Sequence, residues 1–286
     1  MSTLPVEVVV TAVSTVTPRM RRVTFAGEGV RTYLSGDCEP NVKLFFPDGD
    51  APLDLPVWAN GYQFQGSQRA RVRTYTVRRA DRAAGEMDVD FVRHGHGDGD
   101  GAAGLAAAWA ERAQPGDVLG VLGGGGLTIG RASWILLVGD EAALPAMAAI
   151  IARRPVDQRG VVLVEVADEA ERQDLHAPAG LDVRWLYRNG AAPGSTTLLI
   201  DALREVELPV GAEDVRVWVS GESQLALAAR KHLKDKGFDR RRQLVIGYWH
   251  KGWDEVTYAR TTDHDRVDDE LTVDQPAEVH EHSHAH

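Results

Sequence analysis

The segment 71–78, with the sequence Arg-Val-Arg-Thr-Tyr-Thr-Val-Arg, carries side chains that could bind a charged aromatic ligand. Its β-branched residues alternate with longer polar ones, and this period of two predicts a β-strand. In a strand, Arg73, Tyr75 and Val77 share one face, Arg73 and Tyr75 lie about 7 Å apart, and Thr76 is adjacent. A planar guanidinium beside an aromatic ring suits a ligand with a phosphate and a flat ring system. The alternative is an ordinary surface strand, because R-x-Y-[ST] fixes only three residue types.

A glycine-rich loop, residues 94–104, offers a second place for a ligand. It holds five glycines among eleven residues, which lets the backbone approach a bound molecule closely. A predicted helix at 105–112 would direct its N-terminal amides into this loop and favour an anion. The histidines and aspartates leave two alternatives open: a metal site, although their spacing matches no ligand motif, or a flexible loop.

The second half of the chain alternates apolar strands with helices. Continuous apolar runs predict strands buried on both faces, and their alternation with helices predicts a parallel sheet covered on both sides. The predicted strands are 134–138, 161–166, 183–186 and 215–220, and the predicted helices are 142–152, 195–206 and 222–236. Ligands of such sheets bind at the carboxyl ends of strands, here the turns at 139–141 and 220–222. The first turn is not G-x-G-x-x-G, so the standard dinucleotide fingerprint is absent.

The folded body closes with a short predicted strand near residue 243 and an aromatic segment at 247–253. Tyr248, Trp249 and Trp253 stand among glycines, with the basic pair His250 and Lys251 between them. Two interpretations stay open for this segment. It could line a ligand pocket, or it could form a hydrophobic plug with a wet rim.

Six short strands are predicted in the first half of the chain. Two lie within 3–25, and the others are at 42–46, 71–78, 87–92 and 117–122, with one helix at 105–112 between them. This pattern predicts a small antiparallel barrel, followed by the parallel α/β unit. We expect the barrel domain at 1–125, the α/β domain at 131–260 and a disordered tail at 261–286.

Composition and charge limit the function classes. The 286 residues are 43% hydrophobic, which fits two globular domains or one large one. No segment resembles a signal peptide or a membrane span, so we expect a cytoplasmic protein. The single cysteine, Cys38, excludes an internal disulfide and a cysteine-based zinc site. The sequence shows no basic helix or motif that indicates a nucleic-acid partner.

The tail at 261–286 holds eight acidic residues and one arginine, and it accounts for most of the net charge of −10. Its low apolar content and high charge predict disorder. The histidines near its end could chelate a divalent metal loosely, and the alternative is a solvated tail. The rest of the chain is close to neutral in charge. We expect the protein to be a monomer.

A barrel with R-x-Y-[ST] followed by a parallel α/β domain resembles the ferredoxin reductase-like flavoproteins. Six motifs in order narrow this resemblance to the siderophore-interacting protein family. They are the segments 73–78, 88–95, 110–117, 139–146, 217–222 and 247–252. Each motif is weak alone, but their order and spacing cover residues 5 to 255.

The resemblance implies an FAD enzyme that reduces ferric siderophores with electrons from NADH or NADPH. In it, Arg73 would contact the FAD pyrophosphate, Tyr75 would stack on the isoalloxazine, and Thr76 would bond near the flavin N5, which makes Tyr75 and Thr76 the catalytic pair. The other implied cofactor contacts are Val77, Asp90, Phe91 and Val92 along the flavin and ribityl chain, His94, Gly101, Ala103, Gly104, Ala106 and Ala107 around the phosphates, and Asp140, Glu141, Ala143, Leu144, Pro145, Glu222 and Trp249 on the nicotinamide side.

The substrate side is less defined. Ferric iron is a hard ion held by anionic oxygen donors, so cations should steer the complex toward the flavin. The candidates are Lys43, Arg78, His250 and Lys251, and the alternative for each is an ordinary surface charge. The chain departs from the family at Ala107, where a serine is common, in its longer phosphate loop and at glycines 123–126. Ferredoxin as the donor, a ferric-siderophore-binding flavoprotein with slow turnover and a generic flavin reductase remain alternatives.

Overall fold

A computed structural model describes residues 4–36, 40–59, 61–93, 104–123, 129–209 and 214–253. Predictions that concern His94, Gly101, Ala103, glycines 124–126 and the acidic tail lie outside the described residues. None of the helices in the described part of the chain is long and apolar enough to cross a membrane.

The first half of the chain forms the predicted barrel. Its strands are β1 (Val6–Thr17), β2 (Met20–Ala26), β3 (Asn41–Phe45), β6 (Val72–Asp81), β7 (Glu86–Val92) and β8 (Val118–Gly123), while β4 (Val57–Trp58) and β5 (Tyr62–Gln63) pair as a separate hairpin. The six longer strands close antiparallel in the order β1-β2-β7-β6-β3-β8. Helix α2 (Leu105–Arg112) lies where it was predicted and buries Trp109 against Phe25, Phe46 and Phe91.

One helix of this half was not predicted. Helix α1 (Glu28–Leu34) occupies a segment outside the predicted elements, in which Gly27 and Gly29 favour a turn. Gly29 serves close packing here, since a Cβ at this position would overlap the carbonyl oxygen of Glu7 on β1. Val30 and Leu34 of α1 then join the barrel core.

The second half of the chain forms the predicted parallel sheet. Its strands are β9 (Trp134–Asp140), β10 (Arg159–Val166), β11 (Leu181–Tyr187), β12 (Val215–Glu222) and β13 (Gln243–Trp249), and its helices are α3 (Leu144–Ile151), α4 (Leu198–Glu205) and α5 (Ser223–Asp235). The strand order is β11-β10-β9-β12-β13. The order in which strands are added to the sheet therefore reverses between β9 and β12. Parallel sheets bind ligands at this kind of position.

Helices cover both faces of the sheet. Side chains of β9 point alternately to the two sides, so that Ile135 and Leu137 pack with α3 while Leu136 and Val138 pack with α4 and α5. The alternation of strands and α-helices along the chain is incomplete, because a short 3₁₀ turn at Glu169–Glu171 takes the place of an α-helix between β10 and β11.

The two halves meet along the β1–β2 hairpin and strand β6. Met20 and Val92 of the barrel pack into the α3-side core of the sheet domain, and α3 lies against β6. Glu171 accepts hydrogen bonds from Thr17 Oγ1 at 2.6 Å and from the Arg19 amide at 3.0 Å. Glu171 is itself buried, so this carboxylate ties the hairpin to the second domain.

Candidate active site

Strand β6 has the two faces that its sequence predicts. Val77 is buried in the barrel core, and the Tyr75 ring packs on Phe91 with centroids 4.5 Å apart. Arg73 is largely buried and donates from Nη1 to the carbonyls of Ala70 at 2.7 Å and Val72 at 2.9 Å. The face of β6 that carries Arg73 and Tyr75 therefore points toward the barrel interior. It is less exposed to solvent than the face of an ordinary surface strand would be.

The opposite face of β6 carries Thr74, Thr76 and Arg78. Thr76 is buried on the strand against which α3 packs. Thr74 accepts a hydrogen bond from Lys43 Nζ on β3 at 2.6 Å. A ligand held at Thr76 would thus lie beside the junction of the two domains.

Strand β7 contributes less to a ligand than we expected. Phe91 has no exposed surface and packs with Trp109 in the barrel core. Asp90 is also buried, and both of its oxygens accept from Arg22, Nε at 2.7 Å and Nη2 at 2.8 Å. Only Val92, which is half-buried at the domain junction, keeps the accessible position that the resemblance implies.

The carboxyl edge of the parallel sheet is organised around Asp140, at the end of β9. The Asp140 carboxylate accepts from the Trp249 indole at 2.8 Å, from the Glu222 amide at 2.9 Å and from the Ala142 amide at 2.9 Å. It thereby joins the ends of β9, β12 and β13. Burial, and then the nearby charge of Glu141, raise the pKa of Asp140 to about 7.

A buried ion-pair cluster lies next to Asp140. Glu141 binds Arg188 through two parallel bonds of 2.5 and 2.6 Å, and Arg188 also reaches Glu165 at 3.6 Å. Thr196 donates to Glu165 at 2.8 Å, and burial raises the pKa of Glu165. We did not identify Arg188, Glu165 or Thr196 from the sequence, because they come from separate segments that share no motif.

The end of β12 and the segment after β13 also come together. Glu222 caps α5 by accepting from the Gln224 amide at 2.5 Å, and it accepts from the Lys251 amide at 3.2 Å. His250 Nδ1 lies 2.7 Å from Ser223 Oγ and 3.5 Å from Glu222 Oε1. A nucleophilic triad would need the serine and the acid on opposite ring nitrogens, so this grouping is not one. Trp249 of the aromatic segment is half-buried at the sheet edge, where its indole donates to Asp140, and Lys251 is exposed.

Several predicted cofactor contacts have side chains that are buried in the core. The apolar start of α3 and the first turns of α2 are drawn inward because their small side chains pack against the sheet and the barrel. The side chains buried in this way are Val77, Phe91, Ala106, Ala107, Ala143, Leu144 and Pro145, and their contact with a cofactor stays a prediction. Gly104, which precedes α2, remains exposed.

The two halves of the site are joined by α3. This helix begins directly after the Asp140–Glu141 turn and packs against β6, which carries Tyr75 and Thr76. A flat electron carrier on β6 and a reductant at the sheet edge would meet there. The described residues of β6 fit a flavin nucleotide: the Tyr75 ring and the Arg73 guanidinium lie on its barrel face, and the Thr76 hydroxyl and the Arg78 guanidinium lie on its opposite face. Among the described side chains, no three His, Cys, Asp or Glu residues converge in a way that could hold a metal ion.

Comparison with known proteins agrees with this architecture. Residues 9–128 match the model of the siderophore-interacting FAD-binding domain, and residues 132–252 match that of the siderophore-interacting protein. The chain is 32% identical to the ferric vibriobactin reductase ViuB of Vibrio cholerae, covering 85% of this chain and 88% of that one. It is 28% identical to the NADPH-dependent ferric-chelate reductase of Escherichia coli, over 85% and 92% of the two chains. A crystal structure of a siderophore utilization protein from T. fusca superposes with a TM-score of 0.78 at 40% identity, covering 89% and 96%.

The barrel and the parallel sheet together have the ferredoxin reductase-like fold, as predicted. The two family models extend over most of the chain. The chain belongs to the siderophore-interacting protein family, and its barrel is an FAD-binding domain.

Proposed function

We propose that this protein reduces ferric siderophores through bound FAD and releases ferrous iron, with NADH or NADPH as the electron donor. The observation that carries the proposal is the packing of α3 between the Tyr75–Thr76 strand and the Asp140 edge. The relatives that are named as ferric vibriobactin reductase and ferric-chelate reductase support it.

The chain's own residues divide the work of holding the cofactor. Arg73 would bind the pyrophosphate, Tyr75 would hold the flat ring against its own ring, and Thr76 would orient the ring edge toward α3. Bound FAD supplies the conversion of a two-electron hydride into the single electrons that ferric iron accepts. The hydrogen bonds of Arg73 to Ala70 and Val72 fix its guanidinium before any ligand arrives, which favours binding.

The substrate would approach the exposed rim of the site as a negatively charged ferric complex. Lys251 is exposed at the sheet edge, and His250 lies beside it. Lys43 lies on the barrel side, held to Thr74. Cations on both sides of the junction would steer an anion between them.

Ferredoxin is the second candidate donor, and one feature of the sheet edge favours it. The N-terminal amides of α3 and α5 would be expected to bind a dinucleotide pyrophosphate. Here the Asp140 carboxylate accepts from the Ala142 amide, and the Glu222 carboxylate accepts from the Gln224 amide. The carboxylates of Asp140 and Glu222 thus bind amides at the N-termini of α3 and α5, and they disfavour the binding of a further anion there.

An anaerobic titration distinguishes these donors. The purified protein is mixed in turn with NADH, NADPH and reduced ferredoxin, and a ferric siderophore is then added. The proposal predicts that a pyridine nucleotide bleaches the flavin bands and that the ferric complex restores them. Bleaching by ferredoxin alone would select the second donor, and reduced flavin that ignores the ferric complex would refute the substrate.

Two substitutions test the cofactor residues. Tyr75→Ala and Arg73→Ala should give colourless or weakly yellow protein, and full FAD retention in both would remove the basis for this assignment.

The division into domains at 1–125, 131–260 and 261–286, the cytoplasmic location and the monomeric state remain predictions.

A further inference from the structure

Arg78 occupies an irregular position on the outer face of the barrel. Strands β6 and β7 pair Val77 with Val89 and then Arg79 with Asp88, so Arg78 is the extra residue of a β-bulge. A bulge at this kind of position re-aims a side chain, and such bulges are frequent beside active sites. Arg78 and Arg79 consequently both reach the outer face, where regular alternation would allow only one of them.

Arg78 has no carboxylate of its own. Its side chain is 16% exposed, and among the described residues its only carboxylate within 4.0 Å is that of Asp90. Both oxygens of Asp90 are already bound by Arg22, so two guanidinium groups share one carboxylate. The buried Nε of Arg78 has no hydrogen-bond partner among the described residues.

The neighbouring acids pair with Arg79 and not with Arg78. Asp88 is held by Arg79 at 2.6 Å and by Thr24 at 2.8 Å. Glu86 is solvent-accessible and meets Arg79 at the far end of the cluster. Burial lowers the pKa of Arg78, yet a guanidinium stays charged in proteins. A half-buried guanidinium that shares its nearest carboxylate and leaves a buried N–H unpaired costs stability, and such a group is a candidate for contact with a ligand.

The place of Arg78 along β6 indicates which part of a ligand it would face. It follows Thr76 by two residues, about 7 Å along the strand, and Arg73 by five, about 17 Å. Its partner Asp90 is two residues from Val92, which packs at the domain junction. Arg78 therefore shares the outer face of β6 with Thr76 and lies nearer to Thr76 than to Arg73, so it would face the ring edge that Thr76 is proposed to hold.

We propose that Arg78 supplies the positive charge that balances the flavin ring after it accepts a hydride. The hydride brings two electrons and one proton to a neutral ring system, so the ring gains one negative charge, and a nearby cation stabilises it. This inference rests on the proposed function, because it requires FAD on β6. It replaces our prediction that Arg78 steers the substrate from the surface.

The test is the two-electron midpoint potential of the FAD-loaded full chain, measured by dye-equilibrated reduction of Arg78→Met, Arg78→Lys and the matched control Arg79→Met. We expect Arg78→Met to weaken reduced FAD at least tenfold relative to oxidised FAD, which lowers the potential by about 30 mV for two electrons. Arg78→Lys should retain most of the wild-type potential, and Arg79→Met should not change it. An unchanged potential in Arg78→Met, or an equal shift in the control, would overturn the proposal.

Thermal unfolding of the same variants without FAD excludes a merely structural role. Removal of a guanidinium with an unpaired buried N–H should leave the apoprotein as stable as the wild type or more stable, while it reduces the stabilisation that added FAD gives. A strong loss of apoprotein stability with an unchanged potential would assign Arg78 to the fold alone. Neither measurement uses NADH, NADPH, ferredoxin or a ferric complex. A wild-type protein that takes up FAD but reduces no ferric siderophore therefore counts against the proposed function, and an unaltered Arg78→Met potential counts against this inference alone.

Discussion

The buried carboxyl group of Asp140 should make the stability of the protein depend on pH in a predictable direction. Asp140 is 5% exposed, and its pKa in the folded state is raised to about 7, first by burial and then by Glu141. An acid whose folded pKa is raised contributes stability that is present at low pH and is lost as the pH rises through the folded value. The protein should therefore become less stable between pH 5 and pH 8.

The magnitude follows from the two pKa values. With about 7 in the folded state and about 3.9 in the unfolded state, nearly all of the change between pH 5 and pH 8 comes from the folded protein. The free energy of unfolding should fall by about 3 kcal/mol over this range. Asp140→Asn removes the titration while it keeps the size and one acceptor oxygen, so its contribution should be independent of pH.

Urea unfolding at several pH values between 5 and 8 measures this difference. Other groups also titrate in this range, so the relevant quantity is the wild-type free energy minus that of Asp140→Asn at each pH. The exposed Asp201→Asn on α4 is the matched control and should follow the wild type. A wild-type minus Asp140→Asn difference that stays constant from pH 5 to pH 8 would refute the reasoning.

The other predictions concern buried polar contacts that hold the two domains and the sheet edge. Glu171→Ala should lower the free energy of unfolding by about 3 kcal/mol, because it leaves Thr17 Oγ1 and the Arg19 amide without their acceptor. The control Glu169→Ala, at an exposed residue, should cost little in the same urea series. Equal losses would contradict the role of Glu171 in joining the two domains. Arg188→Leu should cost about 3–5 kcal/mol in thermal unfolding, since Glu141 and Glu165 stay buried without a counter-charge. Adding Glu141→Leu should recover part of this loss, and no recovery would mean that the pair is not coupled. Trp249→Phe keeps an aromatic side chain but removes the indole donor to Asp140. It should therefore raise the folded-state pKa of Asp140 further and extend the stable range to higher pH. An unchanged pH profile of stability would show that this hydrogen bond has no such effect.

Local patterns in the sequence predicted most of the elements. The period of two identified the barrel strands, α2 was found at its predicted residues 105–112, and the continuous apolar runs identified the strands of the parallel sheet. Helix α1 was missed because two glycines suggested a turn, while the reason for Gly29 is its contact with Glu7 on another strand. Contacts between distant segments leave no trace in a local pattern.

The same limit applies to the site. The segment 73–76 and the turns at 139–141 and 220–222 were visible as motifs, and the structure brings the two turns together around Asp140. The Glu141–Arg188–Glu165 cluster joins three strand ends, and the bulge at Arg78 depends on the register between β6 and β7. Which residues of a matching motif are buried, such as Phe91 and Leu144, follows from packing and not from the spacing of the motif.

The most direct test of the central claim is the visible spectrum of the purified full chain under anaerobic conditions. It is recorded before and after a reduced donor is added, and again after a ferric siderophore follows. We expect flavin bands that bleach with the donor and return with the ferric complex, together with the appearance of ferrous iron. A protein without flavin bands, or flavin bands that NADH, NADPH and reduced ferredoxin all leave unchanged, would contradict it.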